Sequence, residues 1–297
     1  MKIYFLSDID LPNYLEDSDF YSYMNYDDIK EHTLRKKLFN YSFTGKYIHT
    51  NYAYWLCKNS GMDVHLIKNT KDVEKGALVF FHFDHKHLIY NRENIVLVQI
   101  IADRPIIPNI NFYTSSSKYF IKNNILYLPE PIPAKNLIVH EDNECTIPVN
   151  FRFLGMRHKL PDFIDHKFIQ DMKAKDISIK TGDSKAFIDK NDDAFFYLRD
   201  ESENMFLKHG NRVKLSYLLR KPYIGNINRA EEECILTSTD IINIPYSKND
   251  LVDQMLHLKV PAVYKQYKTN LSVHRDTIIN EFLESIKSVI SQIQLSL

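Results

Sequence analysis

The densest group of titratable side chains is the run Phe-His-Phe-Asp-His-Lys-His, which holds His82, Asp84, His85 and His87. It ends the apolar run Ala77–Phe83, so it falls at a strand end. A histidine has an unperturbed pKa suited to taking a proton near neutrality. A general base is therefore one reading, and a structural or surface cluster the other. A second group is cationic. Gly155, Arg157 and His158 follow the strand-like Phe151–Leu154 and precede a helix-like stretch, and open α/β sheets gather ligands at the carboxyl ends of their strands. Arg157 can grip a phosphate through two parallel hydrogen bonds and His158 through one, or the three form a solvated loop. Arg212 and Lys214 open the helical stretch Arg212–Leu219. Cations there oppose the helix macrodipole unless an anion is present; the alternative is a pair of ordinary surface cations. Arg199, ending the strand Ala194–Leu198, is a further candidate for the same anion. Glu231 and Glu232 begin the helical stretch Arg229–Ile235, where a carboxylate is favourable in itself. Asp103, just after the strand Ile95–Ile101, reads as a polar contact or as a turn cap.

These groups need elements to hold them, and the pattern is one of strands interleaved with helices. In the first half, strand-like runs are Lys2–Leu6, Asp63–Ile67, Ala77–Phe83, Ile95–Ile101, Asn111–Thr114 and Ile125–Leu128. A helical patch lies near Tyr26–Phe39, and a helix over Tyr47–Asn59 stops at Ser60-Gly61. A further helix opens at Ser115–Ser117. The runs are continuously apolar rather than alternating, as expected of strands buried on both faces of a parallel sheet. Three prolines in Pro129–Pro133 break the rhythm and stiffen a connector, Pro129–Pro148. The rhythm then restarts with strands Phe151–Leu154, Asp176–Lys180, Ala194–Leu198, Pro222–Gly225 and Asp240–Ile244. Helices fit Pro161–Met172, Arg212–Leu219, Arg229–Ile235 and Lys248–Leu258. In the tail Thr277–Leu297, Ile278, Phe282, Ile286, Val289 and Ile293 form one apolar helical stripe. The expected fold class is α/β: two Rossmann-like domains facing a cleft, with a long C-terminal helix. The segments are 1–135, a linker 136–148, a second domain 149–270 and the helix 271–297.

Composition excludes several functions. Only 7 glycines occur in 297 residues, and neither GxGxxG nor GxxxxGK[ST] is present, which removes the familiar phosphate loops. Lys+Arg and Asp+Glu both number 38, so no global charge draws the chain to nucleic acid. Cys57, Cys145 and Cys234 are widely spaced and read as reduced thiols in a cytosolic protein. The first residues read as a strand rather than a signal peptide, and no apolar run suits a spanning helix. Tyr21, Tyr23, Tyr26, Tyr41, Tyr47 and Tyr52 crowd one polar stretch. They read as core, as stacking surfaces for the rings of a bound ligand, or as a surface packing on a membrane or a partner.

The stretches YAYWLCKNSGMDVHLI, LYLPEPIP and FRFLGMRHKLPDFI, then NDDAFFYLRD with HGNRVKLSYLLRKPYIGNINRAEEECI, together resemble a family. That family is the GT-B-fold glycosyltransferases of bacterial surface-polysaccharide synthesis (lipopolysaccharide O-antigen or capsule). The resemblance covers nearly the whole chain as an order of elements. It implies an acceptor domain first, a nucleotide-sugar domain second, and a hexosyltransferase-like, metal-independent transfer to a glycan or lipid-linked acceptor. No cofactor is implied, since the nucleotide-sugar is a substrate, and no metal. The catalytic candidates become His82, Asp84, His85 and Asp103. The donor candidates are Gly155, Arg157, His158, Arg199, Arg212 and Lys214, with Glu231 or Glu232 accepting from ribose or sugar hydroxyls. Location is cytoplasmic, with a peripheral position at the inner membrane face, beside other polysaccharide-assembly proteins, as an option. Two other readings stay open. One is a non-catalytic nucleotide-binding or interaction protein of α/β fold. The other is a metal-dependent hydrolase, because the His82–His87 cluster is similar to metallo-hydrolase ligand spacing.

Overall fold

Apolar runs with no polar alternation can be satisfied only in a sheet covered on both faces, and two such sheets form. The structure, a computed structural model, describes residues 1–8, 46, 48–102, 104–121, 124–131, 147–155, 159–181, 191–199, 211–227 and 229–297. The expected helical patch Tyr26–Phe39 and most of the proline-rich connector lie outside the described residues. The chain divides into two units, Met1–Asn136 with Asn280–Leu297, and Leu137–Ile279.

In the first unit, strands β1 (Ile3–Leu6), β2 (Val64–Ile67), β3 (Leu78–His82), β4 (Val96–Ile101), β5 (Phe112–Ser115) and β6 (Ile125–Tyr127) pair in the order β2-β1-β3-β4-β5-β6. Every pairing is parallel. One face buries Ile3, Phe5, Leu78, Phe80, Val96, Val98 and Ile100 under helix α1 (Ala53–Asn59) and the chain's C-terminal segment. The opposite face buries Tyr4, Leu6, Val79, Phe81, Leu97 and Tyr113. The expected helix Tyr47–Asn59 is in fact a π-helical turn, Ile48–Tyr52, running into α1. It stops as expected, with Gly61 at φ 82°, a backbone conformation that glycine adopts without strain. Ser115–Ser117 lead into a single 3-10 turn, Lys118–Phe120.

In the second unit, β7 (Asn150–Phe153), β8 (Ser178–Lys180), β9 (Ala194–Tyr197), β10 (Tyr223–Gly225) and β11 (Ile242–Asn243) pair in the order β11-β10-β9-β7-β8, again all parallel. Helix α2 spans His166–Lys173, not Pro161–Met172. The Asp165 carboxylate accepts from the Phe168 N–H at 2.7 Å, and a capping carboxylate fixes a helix start more firmly than a proline upstream. Helices α3 (Asn211–Leu219), α4 (Arg229–Glu232) and α5 (Lys248–Leu258) follow. The strand expected over Asp240–Ile244 is two residues long, Ile242–Asn243, and the Asp240 carboxylate before it accepts from Thr237 and Tyr217.

The last helix, α6, runs Pro261–Ser296, far longer than the stripe at Thr277–Leu297. The stripe marks only the part whose Phe282, Ile286, Val289 and Ile293 enter the first unit's core. Upstream, α6 buries Tyr264 and Leu271, and the Tyr264 hydroxyl donates to the Asp193 carbonyl at 3.0 Å. Among the described residues no helix is long and apolar enough to cross a membrane. Ile286 is fully buried whereas Leu295 is 89% exposed. Ile286→Ala is therefore expected to lower unfolding stability by about 2–5 kcal/mol in urea titrations. Leu295→Ala should stay within about 0.5 kcal/mol of the parent.

Candidate functional site

In both sheets the first strand in sequence sits between its two sequence successors, so the chain departs in opposite directions from β1 and from β7. Such a reversal opens a crevice at the carboxyl ends of the adjoining strands. In the second unit those ends belong to β7 and β9. Arg199 follows β9 and is completely buried. Its guanidinium donates to the Glu231 carboxylate at 2.5 Å. Arg212, in the first turn of α3, reaches the same carboxylate at 3.7 Å. Its Nε donates to the Leu154 carbonyl at the end of β7, at 2.8 Å. The Arg212 guanidinium lies 3.6 Å over the Tyr197 ring, a cation–π arrangement that also removes rotamer freedom. Asn226, just past β10, exchanges two hydrogen bonds with the Arg199 backbone, at 2.7 and 2.8 Å. Lys214 is buried in the same first turn of α3.

The structure thus separates the two glutamates: Glu231 is buried between two guanidiniums, while Glu232 is exposed. Glu231 is engaged with protein cations, which differs from the expected hydroxyl acceptor. Arg212 and Lys214 are not ordinary surface cations. Gly155 lies two residues past β7, where a Cβ would be 2.5 Å from the Phe153 ring and 2.6 Å from the Tyr197 ring. Arg157 and His158 lie outside the described residues. Tyr197 and Asn226 were missed by sequence reasoning. Tyr197 read as core, and Asn226 was signalled only by its place after a strand-ending glycine.

In the first unit the crevice lies at the ends of β1 and β3. His82 ends β3, and its Nδ1 accepts from the Asp84 N–H at 3.3 Å, capping the 3-10 helix Phe83–Leu88. That bond places the imidazole proton on Nε2. The His82 ring stacks on His49, with centroids 5.9 Å apart. Burial above all, and then His49, push His82 down to about 4. His85 is also pushed down, chiefly by burial; its Nε2 lies 3.3 Å from Asp8. Asp8 in turn is paired with Lys46 at 2.6 Å. Asp84 lies nearer the surface, 3.3 Å from Arg104. Burial thus moves both rings below the ordinary imidazole value, His82 to about 4, away from the neutrality that a general base there would use. His87 is exposed, and among the described residues no three His, Cys, Asp or Glu groups converge on a metal position. Asp103 lies outside the described residues. Of the crowded tyrosines only Tyr52 is described, buried and stacked on Trp55. Ser7 and Asp8, which sequence reasoning missed, are marked only by directly following the first strand. The Ser7 hydroxyl donates to Asn51 at 2.6 Å.

The class that these sheets define is a two-unit α/β protein with parallel, doubly wound sheets and polar groups at their carboxyl edges. No protein-family model and no curated protein matches the chain. Solved structures similar to it include the pneumococcal O-GlcNAc transferase GtfA in complex with UDP and GlcNAc, at 13% identity and a TM-score of 0.45. That match covers 76% of this chain and 58% of GtfA. TarM matches at 11% identity and a TM-score of 0.49, over 73% of this chain and 54% of TarM. Anabaena HepE in complex with UDP matches at 10% identity and a TM-score of 0.48, over 97% of this chain and 100% of HepE. The matched part is little more than half the length of the first two. Scores below 0.5 at these identities assign neither a family nor an activity.

The depressed His82 sets a pH dependence of stability. The unfolded chain binds the His82 proton with a pKa near 6.5 and the folded chain only near 4. Its stabilising contribution is therefore complete above about pH 6.5 and is lost as pH falls towards 4. Between pH 7 and pH 5 the loss is on the order of 2 kcal/mol. Thermal melts across this range should show it, and His82→Gln should flatten the slope. A slope that the variant leaves unchanged would place the titration elsewhere.

Proposed function

We propose that the protein is a glycosyltransferase. It moves a sugar from a nucleotide-sugar donor held by the second unit to a glycan or lipid-linked acceptor bound by the first. The observation that carries this reading is Arg212. It is fixed on the Tyr197 ring and on the carbonyl end of β7 at the strand-order reversal of the second sheet. A guanidinium fixed before ligand arrives, beside a helix start, is suited to the charge of a departing diphosphate. Arg199 and Lys214 add positive charge nearby, and Arg157 and His158 stay in the donor set on sequence grounds. The transfer is read as metal-independent, because helix ends and basic side chains supply the charge. Hexosyl transfer in bacterial surface-polysaccharide synthesis, at the cytoplasmic face of the membrane, is the finer form of the proposal.

The non-catalytic reading has one observation in its favour. His82 and His85 are both held neutral and are poor bases near neutrality. Calorimetry with UDP, GDP, CDP and dTDP followed by a turnover assay with the matching sugars separates the two readings. Binding of one diphosphate with turnover is the expected result. Arg212→Ala should weaken that binding about tenfold or more, equivalent to about 1.4 kcal/mol. Arg212→Lys should recover only part, since an ammonium lacks the planar fork. Normal binding and turnover by both Arg212→Ala and Arg157→Ala would show the phosphate assignment to be wrong.

A further inference from the structure

One carboxylate faces two guanidiniums at the carboxyl edge of the second sheet, and the two contacts differ in kind. The Arg199 guanidinium donates to Glu231 Oε1 at 2.5 Å, and both side chains are fully buried. Each compensates the other, since a buried charge without a partner is costly. Arg212 approaches the same oxygen at 3.7 Å, beyond hydrogen-bonding distance. Its position is set chiefly elsewhere, by the Leu154 carbonyl at 2.8 Å and the Tyr197 ring at 3.6 Å. Of these three charged side chains only Arg212 reaches solvent, 14% exposed against 0% for Arg199 and Glu231.

An anion arriving from solvent therefore meets Arg212 first, with Glu231 already beside that guanidinium. Two negative groups then share one cation and repel each other, and next to a buried pair this repulsion is little screened. Its size depends on the charge of the ligand. A nucleotide-sugar carries a single negative charge on each of its phosphates. Transfer of the sugar breaks the bond between the anomeric carbon and the terminal phosphate oxygen. That oxygen keeps the electron pair, and the acceptor hydroxyl gives up its proton. The terminal phosphate of the diphosphate left behind has a second ionisation at about pH 6. Near neutrality the product is thus more negative than the donor.

Resting on the glycosyltransferase reading, we infer that Glu231 is a resident counter-anion that competes with ligand phosphate for Arg212 and so disfavours the diphosphate product against the nucleotide-sugar donor. In the empty site it offsets charge that would otherwise attract any anion. After transfer it opposes the added charge on the product and favours its departure.

The test compares the full chain with its Glu231→Gln variant by calorimetry. The probes are UDP, GDP, CDP and dTDP, and their terminal methyl esters, which carry the donor's charge without its sugar. Glutamine keeps the shape and an acceptor for Arg199 but not the charge. Expected is diphosphate binding about three- to tenfold tighter in the variant, with a smaller gain for the methyl ester. The variant should also melt lower than the parent, because Arg199 loses its counter-ion. Weaker diphosphate binding by the folded variant overturns the inference, since Glu231 then only holds Arg212 in place. An equal gain for diphosphate and ester overturns it too, and both outcomes spare the glycosyltransferase reading. If Glu231→Gln does not fold, Arg199→Met combined with Glu231→Leu removes the pair without leaving a buried charge unpaired. That double variant should prefer diphosphate over ester more than the parent does, and an unchanged or smaller preference has the same overturning force. Diphosphate binding with the expected gain but no turnover of any nucleotide-sugar sinks the glycosyltransferase reading alone and leaves Glu231 as the counter-anion of a nucleotide site. Binding of no diphosphate by parent or variant sinks both.

Discussion

A parallel strand covered on both faces has no solvent side on which to carry polar side chains. In β1, β3 and β4 nearly every residue faces one apolar layer or the other, and β9 is Ala-Phe-Phe-Tyr, wholly buried. Polar chemistry is thereby driven to the strand ends. Because the strand order reverses beside β1 and again beside β7, the connections part there and leave the carboxyl ends accessible to side chains from following turns. His82, Arg199 and Arg212 lie where they do for this one reason.

The two edges are built for different chemistry. At the second sheet, two guanidiniums face a single buried carboxylate, Glu231. Desolvating three charges is expensive, and a buried pair of this kind is no strong source of stability. What it supplies is position: Arg199 is tied to Glu231, and Arg212 is held from three sides. At the first sheet, burial keeps His82 and His85 uncharged. One edge gathers guanidiniums around a buried carboxylate, and the other holds desolvated imidazoles.

Much of this was legible in the sequence. Strand-like runs, most of them apolar, announced each of the eleven described strands to within a few residues, and helix α5 was placed residue for residue, its start capped by Ser247. The strand-end positions of His82, Arg199 and Gly155 followed from the same runs. The misses have local causes. Asp165 outcompeted Pro161 as a helix start. The tail stripe reported one face of α6 and hid the part that buries Tyr264. Side-chain direction was the larger gap: no periodicity says that Glu231 turns inward while Glu232 turns out, or that burial will neutralise a histidine cluster.

The scarcity of glycine has a structural counterpart at the second site. Gly225, which ends β10, would place a Cβ 2.6 Å from the Tyr197 carbonyl oxygen, and Gly155 would place one 2.6 Å from the Tyr197 ring. Both glycines therefore make room for the same tyrosine, one at its backbone and one at its side chain. Tyr197 is also the surface on which Arg212 lies. A methyl group at either glycine would displace the ring or its strand, and the guanidinium above it would lose its support. With no glycine-rich loop to wrap a phosphate, this site uses its two glycines to bring strands and an aromatic ring close together. Among the described residues, the charge of Arg212 is held by the packing of side chains.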